Sequence, residues 1–338
     1  MVVVVDNASQ EPAHAPAHLP NGLACEVVRL DRNRSTGARN IGVQRAAAIA
    51  GTREDHWIVM LDDDSAPMDG RFVDALASTP RDVGAVAAEV FLPSDGSRVR
   101  HEAGGLPEVF TGCGAAIRAC DFLALGGYDE AFDYYAEEYD FCARVILSGM
   151  RIAYDRRFRV LHRKVAGNRD QARIIANLAR NNAWVMARYA PDGERARRIE
   201  AQFERYGAIA AKEGVHAEVD RVIAATRASL GLQPRREMTA AQWERFTGLA
   251  AAHAHLVELA RQHAWRTCEL VAPGKGVEDV AHAAERAGLR VLAEGEGGDV
   301  CVVGTLSPGV MLDAVAEWEA RGKTVVGAWD VGGSHADG

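Results

Sequence analysis

The sequence predicts an α/β protein in which a mixed sheet is flanked by helices, followed by a helical linker and a small C-terminal α/β domain. Three observations carry that prediction. Through the first half of the 338 residues, β-branched runs alternate with Ala-rich stretches that have helix caps. The apolar run Trp57-Ile58-Val59-Met60-Leu61 breaks off abruptly into Asp62-Asp63-Asp64, as a strand buried on both faces does where it leaves the sheet. Strand–helix alternation then resumes from Thr267.

Taken in order, Val2–Val5 is a β-branched strand ending in the polar turn Asp6-Asn7-Ala8-Ser9. Pro12, Pro16 and Pro20 make residues 10–24 a loop, and Glu26–Leu30 is a second short strand. Ser35 or Thr36 can cap a helix whose body runs from Ala38 to Ala50 and closes at Gly51. After the 57–61 run, strands are expected at Gly84–Phe91, Val109–Ile117, Arg151–Tyr154 and Phe158–Leu161. Glu137–Leu147 is expected to be helical with Gly149 just past its end, and Arg169–Tyr189 to be a longer helix stopped by Pro191.

The character then changes. Residues 192–264 are charged, Ala-rich and helical, with a break near Gly231–Pro234. Cys268–Val271, Val277–Ala287, Arg290–Ala293, Asp299–Val303, Val310–Ala320 and Thr324–Ala328 form a closing β/α series. The expected division is therefore 1–190, 191–264 and 265–338. In the last part, Ala272-Pro273-Gly274-Lys275-Gly276 matches neither common phosphate-loop pattern and reads as a tight strand–helix turn.

Composition narrows the function. With 48% hydrophobic residues, 25% charged and a mean hydropathy of −0.14, the chain can bury a sizeable core. Lys plus Arg is 39 against 47 for Asp plus Glu, a formal charge of −8, which argues against a nucleic-acid binder. No apolar run reaches the ~18 residues of a membrane span. The apolar start is too short for a signal sequence before Asp6. Six cysteines without a CxxC pair suit a reducing cytoplasm, most of them as small buried apolar groups.

The triple aspartate is the sharpest chemical feature. If strand geometry persists, Asp62 and Asp64 share a face and Asp63 takes the other, with the first two Cα atoms ~6.6 Å apart. Two like charges at that spacing repel by about 2.5 kcal/mol at an effective dielectric of 20. A divalent cation reverses that penalty, and carboxylate oxygens suit Mg2+ or Mn2+. Arg39 and Asn40 stand early in a helix, where an anion can meet free N–H groups. Tyr134-Tyr135-Ala136-Glu137-Glu138-Tyr139-Asp140 crowds three acids among aromatics, a setting that raises a carboxylate pKa toward that of a general base. The same acids would also suit a helix N-terminus on electrostatic grounds alone. His162 closes a strand ahead of Arg163-Lys164 and could complete a metal site.

Several motifs occur in one order. They are Asp-Asn-Ala-Ser after a strand, Gly-Ala-Arg-Asn-Ile-Gly (37–42), Leu-Asp-Asp-Asp-Ser-Ala-Pro (61–67), Thr-Gly-Cys-Gly-Ala-Ala-Ile-Arg (111–118), Gly-Gly-Tyr-Asp-Glu-Ala-Phe (126–132), Glu-Glu-Tyr-Asp-Phe-Cys-Ala-Arg (137–144), and the strand ending in His162. Over residues 2–190 this order resembles the family 2 glycosyltransferases of the GT-A (Rossmann-like) fold, which are inverting and use nucleotide-sugar donors. The resemblance implies that Asp6 meets the nucleoside and that Arg39 lies near the diphosphate. It implies an Asp-x-Asp element in which Asp64 ligates the metal with His162, while Asp62 and its neighbour Asp63 serve the donor. It places Gly112, Gly114 and Tyr135 about the substrate pocket, and makes Glu138, beside Glu137, the base. By the same resemblance the donor is a UDP- or dTDP-sugar, the acceptor a hydroxyl, and the cofactor Mg2+ or Mn2+.

Two departures stand out. The pattern usually has a strand and helix ahead of the Asp-Asn-Ala-Ser strand, which here opens the chain, and the acidic pair is Glu-Glu where Glu-Asp is common. Two other readings compete with transfer. One is a nucleotide- or glycan-binding protein with little activity. The other is an aspartyl-phosphate phosphatase, which would want Thr or Val where Ala66 stands.

Overall fold

The computed structural model describes residues 1–94, 99–164 and 170–332. They form a mixed α/β structure of sheets flanked by helices, and the chain divides into two compact units that do not follow chain order. The first comprises residues 1–58, 117–144 and 166–238, and the second 59–116, 145–165 and 239–338.

In the first unit, β1 (Val2–Asp6) and β2 (Cys25–Arg29) pair in parallel, with Val4 opposite Val27. Helix α1 (Gly37–Ala50) lies against β1 so closely that a Cβ at Gly42 would stand 2.9 Å from Val5. The expected 169–189 helix is observed as Gln171–Tyr189, with the Asp170 side chain accepting the Arg173 N–H at its start, while Arg169 lies outside the described residues. This helix packs with Asp192–Lys212 and His216–Ser229 through Ile175, Ala179, Tyr206, Ala210 and Val219. The helical run breaks at Leu230–Leu232 as expected, since residues 233–238 have no helix.

The second unit holds the main sheet, which the chain enters through β3 (Trp57–Met60) and leaves through β7 (Ala115–Arg118). The remaining strands are β4 (Ser65–Pro67), β5 (Val83–Leu92), β6 (Arg100–His101) and β8 (Arg151–His162). The order is β3-β7-β5-β8-β4, with β6 on β5; β5 and β8 are parallel, whereas β4 and β6 run antiparallel to their partners.

Three expectations need correction. The 57–61 run is only half-buried along most of its length and Leu61 is exposed, because β3 is an edge strand; β5 is the fully covered one. The 109–117 strand shrinks to Ala115–Arg118, because a turn closed by Gly114 N–H to the Thr111 carbonyl at 3.1 Å occupies the residues before it. The two strands expected at 151–161 are one, kept continuous across an irregularity in its pairing with β5.

Beyond Ala240–Thr247 and Leu249–His263, a parallel sheet of β9 (Thr267–Val271), β10 (Arg290–Leu292), β11 (Val300–Val303) and β12 (Val325–Val326) takes the order β10-β9-β11-β12. The helices Val277–Arg286 and Pro308–Ala320 connect its strands. The Gly274–Gly276 turn ends with Gly276 at φ +78°, packed on Leu306, as a tight strand–helix connection requires. None of the six cysteines is in a disulfide, and four of them are buried. Among the described residues, no helix is long and apolar enough to cross a membrane.

Candidate functional site

The triple aspartate does not prolong β3. It forms the turn into β4, closed by the Ser65 hydroxyl accepting the Asp62 N–H at 2.7 Å and the Asp62 carbonyl accepting the Ser65 N–H at 3.0 Å. The strand geometry on which the expected alternation depended therefore ends at Met60; within the turn Asp62 and Asp64 are half-buried and Asp63 is exposed. Register then brings the turn to the histidine. Ser65 pairs with His162, and Arg163 N–H donates to the Asp64 carbonyl at 2.8 Å, extending the β4–β8 ladder by one residue. The His162 Nε2 consequently lies 3.3 Å from an Asp64 carboxylate oxygen.

The other ring nitrogen is equally well placed. His162 Nδ1 lies 2.9 Å from Glu102, whose second oxygen accepts from Lys164 Nζ at 2.7 Å. Glu102 reaches this position because β6 folds back on β5 and Glu102 N–H donates to the Val90 carbonyl at 2.9 Å. A carboxylate on one imidazole nitrogen fixes the ring and leaves the other toward a metal. Neither Glu102 nor its function was visible in the sequence, which offers no local motif around it.

Cys113 is the second residue with no signal in the sequence, where most of the six cysteines read simply as small buried apolar groups. Donor atoms of Asp62, Cys113 and His162 lie within 4.8 Å of one another. An ion bound at 2.0–2.3 Å would hold three such donors roughly 3.5 Å apart, so closing by about 1 Å would suffice. Oxygen, sulfur and nitrogen donors here therefore fit a divalent cation. Gly114, expected to admit substrate to the backbone, is closely approached by the sheet. A Cβ there would stand 2.9 Å from Val90 and 3.1 Å from Ala88. Its neighbour Gly112 is buried in the same turn.

The loop carrying Glu102 is held by the C-terminal β/α segment of the same unit. The Ser307 hydroxyl donates to the Gly104 carbonyl at 2.7 Å and accepts the Gly104 N–H at 3.0 Å. Asp313 accepts the His101 N–H at 3.0 Å and meets its Nδ1 at 2.6 Å. The His101 Nε2 faces Glu89 of β5 at 3.3 Å. Burial pulls the His101 pKa down, but hydrogen bonds to Glu89 and Asp313 outweigh it and raise the pKa above the ordinary histidine value.

The remaining candidates belong to the first unit. Asp6 is buried, and both oxygens are occupied: one accepts Ser9 N–H at 2.8 Å, the other Ala13 N–H at 3.0 Å and Arg29 at 2.5 Å. The Ala13 and Ser9 backbone donors lead in holding its pKa down to about 2. Asn40, weighed as an anion contact, instead brackets the backbone of Tyr128 at 2.8 and 2.9 Å. Arg39 is half-buried beside it.

Glu137 and Glu138 open the helix Glu137–Leu147, Glu137 buried and Glu138 half-buried. The residues before them are strained. Asp133, Tyr135 and Ala136 have φ of +63°, +74° and +62°, and Tyr135 is exposed. Asn181 Nδ2 holds this loop, lying 2.6–2.9 Å from the carbonyls of Phe132, Tyr134 and Tyr135. The third acid, Asp140, is structural. It accepts from Arg144 at 2.9 Å, Arg188 at 2.8 Å and the Tyr189 hydroxyl at 2.7 Å.

No protein-family model matches the chain, and no curated protein does. Among solved structures it is similar to GalNAc-T7 with UDP, GalNAc and Mn2+, at 17% identity and a TM-score of 0.39 over 53% of this chain. The chain spans 40% of the length of that structure. It is also similar to the mannosyltransferase PcManGT of Pyrobaculum calidifontis with GDP-Man and Mn2+, at 17% identity and 0.38, covering 77% of this chain and 72% of that one. For S. aureus TarS 1–349 with UDP the values are 14% and 0.38, covering 85% and 82%.

Proposed function

We propose that the chain is an inverting glycosyltransferase of GT-A type that moves a sugar from a nucleoside-diphosphate sugar to an acceptor hydroxyl. The observation that carries this reading is the meeting of Asp64 with His162 at 3.3 Å, with Asp62 beside them. The motif order implies that pair, and the β4–β8 register supports the reading.

In this reading Asp62, Asp64 and His162 hold a divalent cation, and Glu102 keeps the imidazole turned toward it. When bound, the ion supplies positive charge against the departing diphosphate. Arg39 serves the diphosphate, and Asp63, which is exposed, the donor. Asp6 shapes the nucleoside wall by fixing the 6–13 loop rather than by reaching out itself. Glu138 removes the acceptor proton as the oxygen attacks the anomeric carbon from the face opposite the leaving group, with Glu137 beside it and Tyr135 bordering the acceptor side. Gly112 and Gly114 keep the turn beside the acids compact. The donor is a UDP- or dTDP-sugar.

A thermal-shift panel of nucleoside diphosphates and their sugars, each with and without Mn2+, tests this. Ligand at 100 Kd stabilises by ~2.7 kcal/mol. We expect one diphosphate to shift the melt only with metal, and Glu138→Gln to keep that shift while losing transfer. Equal loss of both would make Glu138 structural. No shift with any diphosphate would overturn the reading.

A further inference from the structure

We propose that Cys113 is itself a ligand of the cation, and that the site takes a borderline first-row ion of the zinc or cobalt kind in preference to Mg2+. This rests on the reading that the Asp62–His162 cluster binds a cation, and it changes which ion that is.

The sulfur is placed by the fold. Thr111–Gly114 forms a hydrogen-bonded turn, Gly114 packs closely on Val90 and Ala88, and its carbonyl accepts the Ala88 N–H at 2.9 Å, which ties the turn to the sheet. Cys113 is 4% exposed, and its Sγ shares a 4.8 Å cluster with an Asp62 oxygen and a His162 nitrogen, two other kinds of donor. With Nδ1 engaged by Glu102, the imidazole has Nε2 for an ion.

The chemistry of that set is selective. Mg2+ wants an octahedron of oxygens and keeps its waters, so a thiolate and an imidazole serve it poorly. Thiolate and imidazole donors suit Zn2+ and its neighbours, and a set that joins them to carboxylate oxygen is one such ions take readily. On binding, the S–H bond breaks, the sulfur–metal bond forms, and the proton passes to solvent, with no change of oxidation state.

Cobalt(II) titration of the full chain, followed by absorption, tests the assignment apart from catalysis. We expect ligand-field bands together with a near-ultraviolet thiolate-to-cobalt charge-transfer band. Cys113→Ser should lose the charge-transfer band, keep a cooperative melt, and bind Zn2+ more weakly by more than roughly a hundredfold, beyond the loss of an outer-sphere partner. Mg2+ in large excess should leave the cobalt spectrum unchanged, and Zn2+ should erase it. Cobalt bound without the thiolate band, the band persisting in Cys113→Ser, or Mg2+ displacing the cobalt would each overturn the proposal. Should Cys113→Ser fail to fold, Asp62→Asn and His162→Ala carry the test: the thiolate band must weaken with theirs. A thiolate band in a chain that shifts with no nucleoside diphosphate would uphold this assignment and overturn the glycosyl-transfer reading alone.

Discussion

Glu102 and His162, sixty residues apart in the chain, share a hydrogen bond of 2.9 Å at Nδ1. The bond exists because β5 pairs with β6 on one side and β8 on the other, so Phe91 faces both His101 and Leu161. Glu102→Gln should lower divalent-metal affinity by about 10–100-fold, the usual cost of losing a histidine's outer partner. Isothermal titration with Mn2+ or Zn2+ measures it, and an unchanged affinity would remove Glu102 from the site.

The C-terminal segment should be felt at the same place. A Cβ on Gly309 would stand 2.4 Å from the Glu102 carbonyl and 2.6 Å from the His101 Cβ. Gly309→Ala should therefore cost about 1–3 kcal/mol of stability as an overpacked contact. It should also weaken metal binding by displacing Glu102. Denaturant melts and metal titration on the same sample separate the two effects.

Stability should fall as the pH rises through the raised His101 pKa. The folded protein holds this proton more tightly than the unfolded chain, because Glu89 and Asp313 face it. Its contribution is complete below the ordinary histidine pKa of about 6.5 and is lost above it, as pH passes the higher folded value. Thermal melts between pH 6 and 9 should show this slope, and His101→Gln should flatten it.

Asp140 should matter for folding and not for chemistry. Its side chain and that of Arg188 are 1% and 7% exposed, so Asp140→Ala takes the buried counter-ion from a buried guanidinium and leaves it the more exposed Asp129 at 2.8 Å. The expected cost is about 3–5 kcal/mol, read by chemical denaturation. Glu138→Gln, two positions before Asp140 in the same first turn, should leave stability nearly unchanged.

What the sequence determined by itself was local. Asp62, Asp64 and His162 stand out because an acid run after an apolar strand and a histidine at a strand's end are written in neighbouring residues. The helix starting at Glu137 and the break near Gly231 are legible for the same reason. Tertiary structure decided which of these groups meet. The β4–β8 register sets Asp64 against His162, the β5–β6 fold-back delivers Glu102, and the Thr111–Gly114 turn delivers Cys113. Asp140 and Asn40, chemically plausible in the sequence, turn out to be committed to Arg188 and to the Tyr128 backbone. Backbone pairing between distant segments follows from how whole strands bury their faces, and no short window of residues encodes it.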